Sequence, residues 1–190
     1  MKKFLVIILL ILVTSCDVFE TREPENPNTG RTEFVTPTTP EILFNNLKSS
    51  LREKIVENYM QCLIDPTLTE SEFIFISNAS SIQNYPALSN WERSSEQQYF
   101  NNLKTSVNDE SAVILELFNE FQNIQGSSAT FQYDYRIIIS PIDNSIPSEY
   151  RGTAIFTIIL DSRNYWVIQN WEDIGIEGFS SWSDLKGRFY

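Results

Sequence analysis

The sequence has no histidine, only six glycines and only two cysteines in 190 residues. Without imidazole there is no histidine-based catalytic triad and no zinc site that depends on histidine ligands. Neither the dinucleotide fingerprint nor the Walker pattern is present among the few glycines, so no glycine-rich loop is available to cradle a phosphate. Basic residues are also scarce. Fourteen Lys and Arg against twenty-five Asp and Glu give a net charge of −11 and an isoelectric point near 4.4. Binding to nucleic acid needs clustered cations on one face, and this composition excludes it. No internal repeat is visible.

The longest apolar run, Phe4 to Val13, is ten residues. A bilayer core of ~30 Å needs ~20 apolar residues, so this run has the length of a signal-peptide core rather than of a span. Lys2 and Lys3 precede it, and Leu12-Val13-Thr14-Ser15-Cys16 closes it. That joint pattern resembles the lipobox of bacterial lipoprotein precursors. The resemblance implies a signal peptide over residues 1–15, cleavage before Cys16 and a diacylglyceryl group on its thiol. Loss of Lys2 and Lys3 would bring the net charge from −11 to −13. The chain is thus expected in the bacterial cell envelope, held to a membrane through lipid, on a periplasmic, outer-membrane or cell-surface face. Acyl chains at ~0.8 kcal/mol per buried CH₂ anchor it without any basic patch.

Four of the eight prolines fall between residues 17 and 40. The rest of that stretch is rich in Thr, Glu and Asn, with little apolar surface to offset ordering entropy. Residues 16–40 therefore read as the lipidated cysteine and a tether of up to about 75 Å, and residues 41–190 as one domain. Docking of Phe34 and Val35 onto that domain is the competing reading of the tether's end. Cys62 is left without a cysteine partner and without a histidine to activate it, so it reads as a small buried apolar residue.

Thr39, Pro40 and Glu41 predict a capped helix start, and Leu43, Leu47, Leu51 and Ile55 make its apolar stripe beside Phe44. A second short helix carries Tyr59, Cys62 and Leu63 and ends at Asp65-Pro66. Glu72 to Ile76 reads as a strand, residues 77–90 as a polar loop, and Trp91 to Leu103 as a helix with Tyr99, Phe100 and Leu103 inward. Residues 112–121 fit either a helix or a strand, and pairing favours strand. From Phe131 the alternation of Phe131, Tyr133, Tyr135, Ile137 and Ile139 is that of a half-buried strand. Residues 149–160 and 165–171 form the next two strands around a tip at Asp161 to Asn164. The tail carrying Trp182, Leu185 and Phe189 is placed over a sheet end.

The order predicts an α+β fold, a curved antiparallel sheet with the N-terminal helices packed on one face. It resembles the nuclear-transport-factor-2-like superfamily, with its ketosteroid-isomerase-like and SnoaL-like members, over about residues 41–174. The Leu47 to Asp65 helix pair running into Phe73-Ile74-Phe75, and the meander ending Tyr165 to Trp171, carry the resemblance. Cystatin-like or unrelated α+β folds are the alternatives. The resemblance implies a cone-like sheet with a pocket between sheet and helices. Tyr59, Trp91, Tyr133, Tyr135, Trp166 and Trp171 would line such a pocket, or fill it as core.

No specific Asp aligns with the carboxylate base of the isomerase-like members. Asp134 alternates outward, where it is expected to pair weakly with Arg136. Asp161, Glu172, Asp173 and Glu177 read as turn and surface acids, without the spacing of a calcium loop. The expectation is a binding or scaffolding domain for a small apolar ligand or an envelope protein, with no cofactor, no metal and no catalytic constellation. The alternatives are a pocket enzyme of isomerase or hydrolase type acting on a hydrophobic substrate, and a purely structural spacer.

Overall fold

The computed structural model describes residues 34–190. The segment read as signal peptide, the proposed lipidation site Cys16 and the tether up to residue 33 lie outside the described residues.

Helix α1, Pro40–Glu53, begins as its sequence dictates. Thr39 Oγ1 accepts the Ile42 amide at 3.3 Å, and Pro40 sits where no amide is needed. Its stripe of Leu43, Phe44, Leu47 and Leu51 is buried. Lys54 closes the helix in the left-handed region at φ 54°, and its ammonium donates to the carbonyls of Asn108, Asp109 and Ser111. Those bonds tie the helix end to the loop before the main sheet. Helix α2, Val56–Gln61, follows at once, with Cys62 buried just beyond it.

Strand β1, Ile74–Ile76, leads into a short helix α3, Ala79–Asn84, and a 3₁₀ turn, Pro86–Asn90. The expectation of a plain loop over residues 77–90 is corrected here. A six-residue polar helix has too few apolar positions to show a period, and tertiary packing of Ser81 and Leu88 holds it. Helix α4 is Arg93–Ser106, capped by Glu92 and Ser95.

Four long strands follow: β2, Ile114–Gln125; β3, Ser128–Ile138; β4, Glu149–Leu160; and β5, Trp166–Gly175. The chain ends in helix α5, Trp182–Phe189. The sheet order is β1-β5-β4-β3-β2, antiparallel except that β1 runs parallel to β5. The ambiguous residues 112–121 fall in β2, where Leu115 faces Ile137 and Leu117 faces Tyr135.

Register shifts between Phe118 and Phe121, and beside Ile158, bend β2 and β5. Asn119 takes φ 53° at the first of these. The result is a curved sheet with all helices on one face. Phe131, Tyr133, Tyr135, Ala154, Phe156, Ile158 and Trp171 point into that face and are buried. Phe44 reaches down among Phe131, Tyr133 and Phe156 with ring centroids 5.1–5.3 Å apart.

Phe34 to Thr38 lie against the domain. Asn46 holds Val35 through both its backbone amide and carbonyl, and the Trp166 amide donates to Pro37. No helix of the described residues is long and apolar enough to cross a membrane.

Candidate functional site

A groove of about 590 Å³ runs between the N-terminal half of α1 and the strands β2 and β3. Phe44, Leu117, Ile124, Phe131 and Tyr133 make its apolar lining, and Glu41, Asn45, Lys48 and Glu120 its polar margin. It exists because β2 departs from the helices after the register shift at Asn119. Beyond that point β2 is exposed on both faces. The Tyr133 hydroxyl donates to Glu120 at 2.7 Å. Burial and the neighbouring Glu120 carboxylate raise the pKa of Tyr133, so the phenol keeps its proton. Two smaller clefts of about 260 Å³ each lie beside Phe73 and Arg93, and beside Phe34 and Arg163.

The interior of the curved sheet is not open. Helix α5 inserts Trp182, Leu185, Lys186 and Phe189 there, all buried. The Lys186 ammonium, wholly buried, forms an ion pair with Glu96, which is also wholly buried. Glu96 further accepts the Tyr59 hydroxyl and the Trp91 indole N–H, each at 2.7 Å. The Lys186 nitrogen lies 3.7 Å from the Trp171 ring centroid, 3.8 Å from Phe75, and 5.9 Å from Trp91 and Tyr99. Burial lowers the pKa of Lys186, and Glu96 acts against that fall.

A second buried carboxylate, Asp173, stands one layer away. It accepts the Tyr135 hydroxyl at 2.7 Å and both the amide and hydroxyl of Ser183. Burial raises its pKa against the pull of these bonds. Tyr135 in turn accepts the Trp182 amide at 2.6 Å, which locks the start of α5 onto β3.

Not every donor in this interior is satisfied. The indole N–H groups of Trp171 and Trp182 and the Tyr99 hydroxyl are buried without a well-formed hydrogen bond. Trp182 lies near enough to perturb the Tyr99 hydroxyl without closing a bond of normal geometry. The Trp171 indole, with no partner at all, carries the full cost of about 1–3 kcal/mol.

The six aromatic residues singled out from the sequence separate into distinct places. Tyr59, Trp91 and Trp171 surround the Glu96–Lys186 pair, Tyr133 lines the groove, Tyr135 serves Asp173, and Trp166 begins β5 against Pro37. Sequence reasoning missed Glu96, Lys186 and Ser183. It also read Asp173 and Asp161 as turn and surface acids; Asp161 does sit in its turn, but the structure buries both. Asp161 folds back on its own turn, accepting the Arg163 and Tyr165 amides and the Arg163 guanidinium. Asp134 does face outward, but its partners are Asn119 and Thr153. Arg136 instead pairs with Glu149 and Glu116. Among the described residues no group of His, Cys, Asp or Glu converges as metal ligands would.

No protein-family model matches the sequence, and no curated protein does. Solved structures do resemble the fold. A protein from Streptomyces avermitilis, assigned as a dehydratase of the NTF2-like family, superposes with a TM-score of 0.54 at 8% identity, over 73% of this chain and 94% of its own. An NTF2-like protein from Cytophaga hutchinsonii gives 0.51 at 9% identity, over 70% and 93%. A protein of unknown function from Mycobacterium tuberculosis gives 0.51 at 10% identity, over 72% and 69%. At such identities the likeness is one of fold alone. The fold shared with these structures, two of them NTF2-like, is α+β, a curved sheet with helices on one face.

Proposed function

We propose that this chain is a lipid-anchored protein of the bacterial cell envelope whose NTF2-like domain binds a small amphipathic molecule in the groove between α1 and the β2–β3 pair. The anchor is Cys16, in the sequence context of a lipobox. One observation carries the binding reading: the interior of the sheet is filled by the Glu96–Lys186 pair and its rings, whereas the groove offers about 590 Å³ beside Phe44, Phe131 and Tyr133. An apolar body would lie on those rings, and its polar end would meet Lys48, Asn45 or Glu120.

Binding rather than catalysis is supported by where the carboxylates stand. The two fully buried acids beneath the helices, Glu96 and Asp173, are each held by three donors and line none of the clefts described above. Glu120, at the groove, is exposed and engaged by Tyr133. Of the three only Glu120 borders the groove, and it already accepts the Tyr133 hydroxyl.

The test is equilibrium binding of a neutral naphthylamine fluorophore to the full processed chain. Asn45 is an exposed groove residue on α1, so Asn45→Trp fills the space without entering the core. Binding is expected to weaken at least roughly tenfold, which corresponds to about 1.4 kcal/mol. The same change at exposed Ile142, remote from the groove lining, is expected to leave it unaltered. Equal binding by the Asn45→Trp and unaltered chains would remove the groove from the proposal.

A further inference from the structure

The buried lysine invites a chemical question that stability does not answer. A buried ion pair is commonly no more stabilising than apolar residues of the same volume, because desolvation offsets the attraction. Here the pair is also surrounded in a particular way. Trp171 and Phe75 press their ring faces on the ammonium at 3.7 and 3.8 Å, Trp91 and Tyr99 stand at 5.9 Å, and Glu96 supplies the counter-charge. Ring faces around a cation, backed by a carboxylate, are the chemistry that recognises alkylammonium groups. Tyr59 and Trp91 hold Glu96 in place from the far side. Everything that forms this cage belongs to α2, β1, α4, β5 and the segment between α3 and α4. Only the cation comes from α5.

We propose that the cage of Phe75, Trp91, Tyr99, Trp171 and Glu96 is a binding site for a small alkylammonium ligand, occupied in cis by Lys186 of the C-terminal helix. The site is separate from the α1–β2 groove. Two features of α5 fit an exchangeable occupant. The helix has only eight residues and is joined to β5 through Ile176, Gly178 at φ 85° and Phe179, a segment exposed at its apolar side chains. Its seat is also incompletely bonded: the Trp171 indole N–H beneath the helix has no hydrogen-bond partner, while the Trp182 amide on Tyr135 and Ser183 on Asp173 hold the helix start. Water reaching that donor when α5 lifts would offset part of the loss of packing.

The experiment is rescue of Lys186→Ala in the full chain. The truncation leaves Glu96 without its cation and leaves room for an alkylammonium chain. The expected result is a lowered Tm that n-butylammonium chloride raises again in a saturable way. Half-effect is expected at about 1–10 mM, within reach of a ligand of about five heavy atoms. Sodium chloride at equal ionic strength and n-butanol, the neutral analogue, are expected to give less than roughly one-fifth of that recovery, because neither supplies an organic cation. Rescue should vanish when Glu96→Gln is added. If Lys186→Ala does not fold alone, the comparison is made on the yield of folded protein after refolding with each additive. Equal recovery with n-butanol, or none with n-butylammonium, overturns the site.

Exchange is read on the unaltered chain. n-Butylammonium is expected to speed amide hydrogen exchange in residues 182–189 while leaving β3 and β4 unchanged. Unchanged exchange in α5 overturns displacement of Lys186 by an external alkylammonium.

Discussion

Asp173 illustrates how a single carboxylate can bind an element down and still oppose folding. It accepts Tyr135 and Ser183, yet burial raises its pKa above the value of about 3.9 for an exposed aspartate. Between those two values the folded chain holds more protons than the unfolded chain, so this group's contribution to stability falls as pH rises through the window. In Asp173→Asn that contribution is absent. Urea unfolding from pH 4 to 7 should show the unaltered chain losing stability relative to the variant as pH rises; parallel profiles would contradict the assignment. Glu96 and Lys186 were legible in principle. Glu96 lies three and four residues before Tyr99 and Phe100, on the same helical face, and Lys186 lies four after Trp182. Their charge hid them, because Lys and Glu are almost never fully buried unless paired, and the partners are ninety residues apart.

At the scale of elements, local chemistry was readable wherever a period or a cap was strong. Thr39 with Pro40 marked the start of α1, and the five alternating apolar residues from Phe131 marked β3. Helix α3 escaped because it is short and polar, and the far half of β2 because its side chains are exposed among the described residues. Helix α5 was visible only as three apolar positions. Its docking depends on one close approach: a Cβ at Gly187 would collide with the Tyr85 ring root. Gly187→Ala, although favourable to the helix by roughly 1 kcal/mol in isolation, is therefore expected to lower stability, by about 1–3 kcal/mol as overpacking does. Urea midpoints check this. A raised midpoint would mean that α5 shifts freely from Tyr85.

On the scale of the whole molecule, the acidic surface and the lipid proposal make a joint prediction. A processed body carrying −13, after loss of Lys2 and Lys3, is repelled by anionic headgroups, so any hold on a membrane rests on acyl chains. Membrane fractions expressing the full chain should keep it through washing with high salt and at alkaline pH, and release it to detergent. Cys16→Ala should abolish palmitate incorporation. Label persisting in that variant, or release of the unaltered chain by salt alone, would refute the anchor.

Hydrophobic period and turn chemistry act over a few residues, so the order of the longer helices and strands, the buried faces of α1 and β3, and the α+β class could be read from the chain alone. The lipobox-like segment is likewise local. What fills the interior of the sheet was decided elsewhere. A cation from α5, a carboxylate from α4 and rings from β1, β5 and the segment before α4 meet only when distant elements pack together. Pairwise burial of opposite charges has no signature along one strand or helix, because either residue alone would be expected in water.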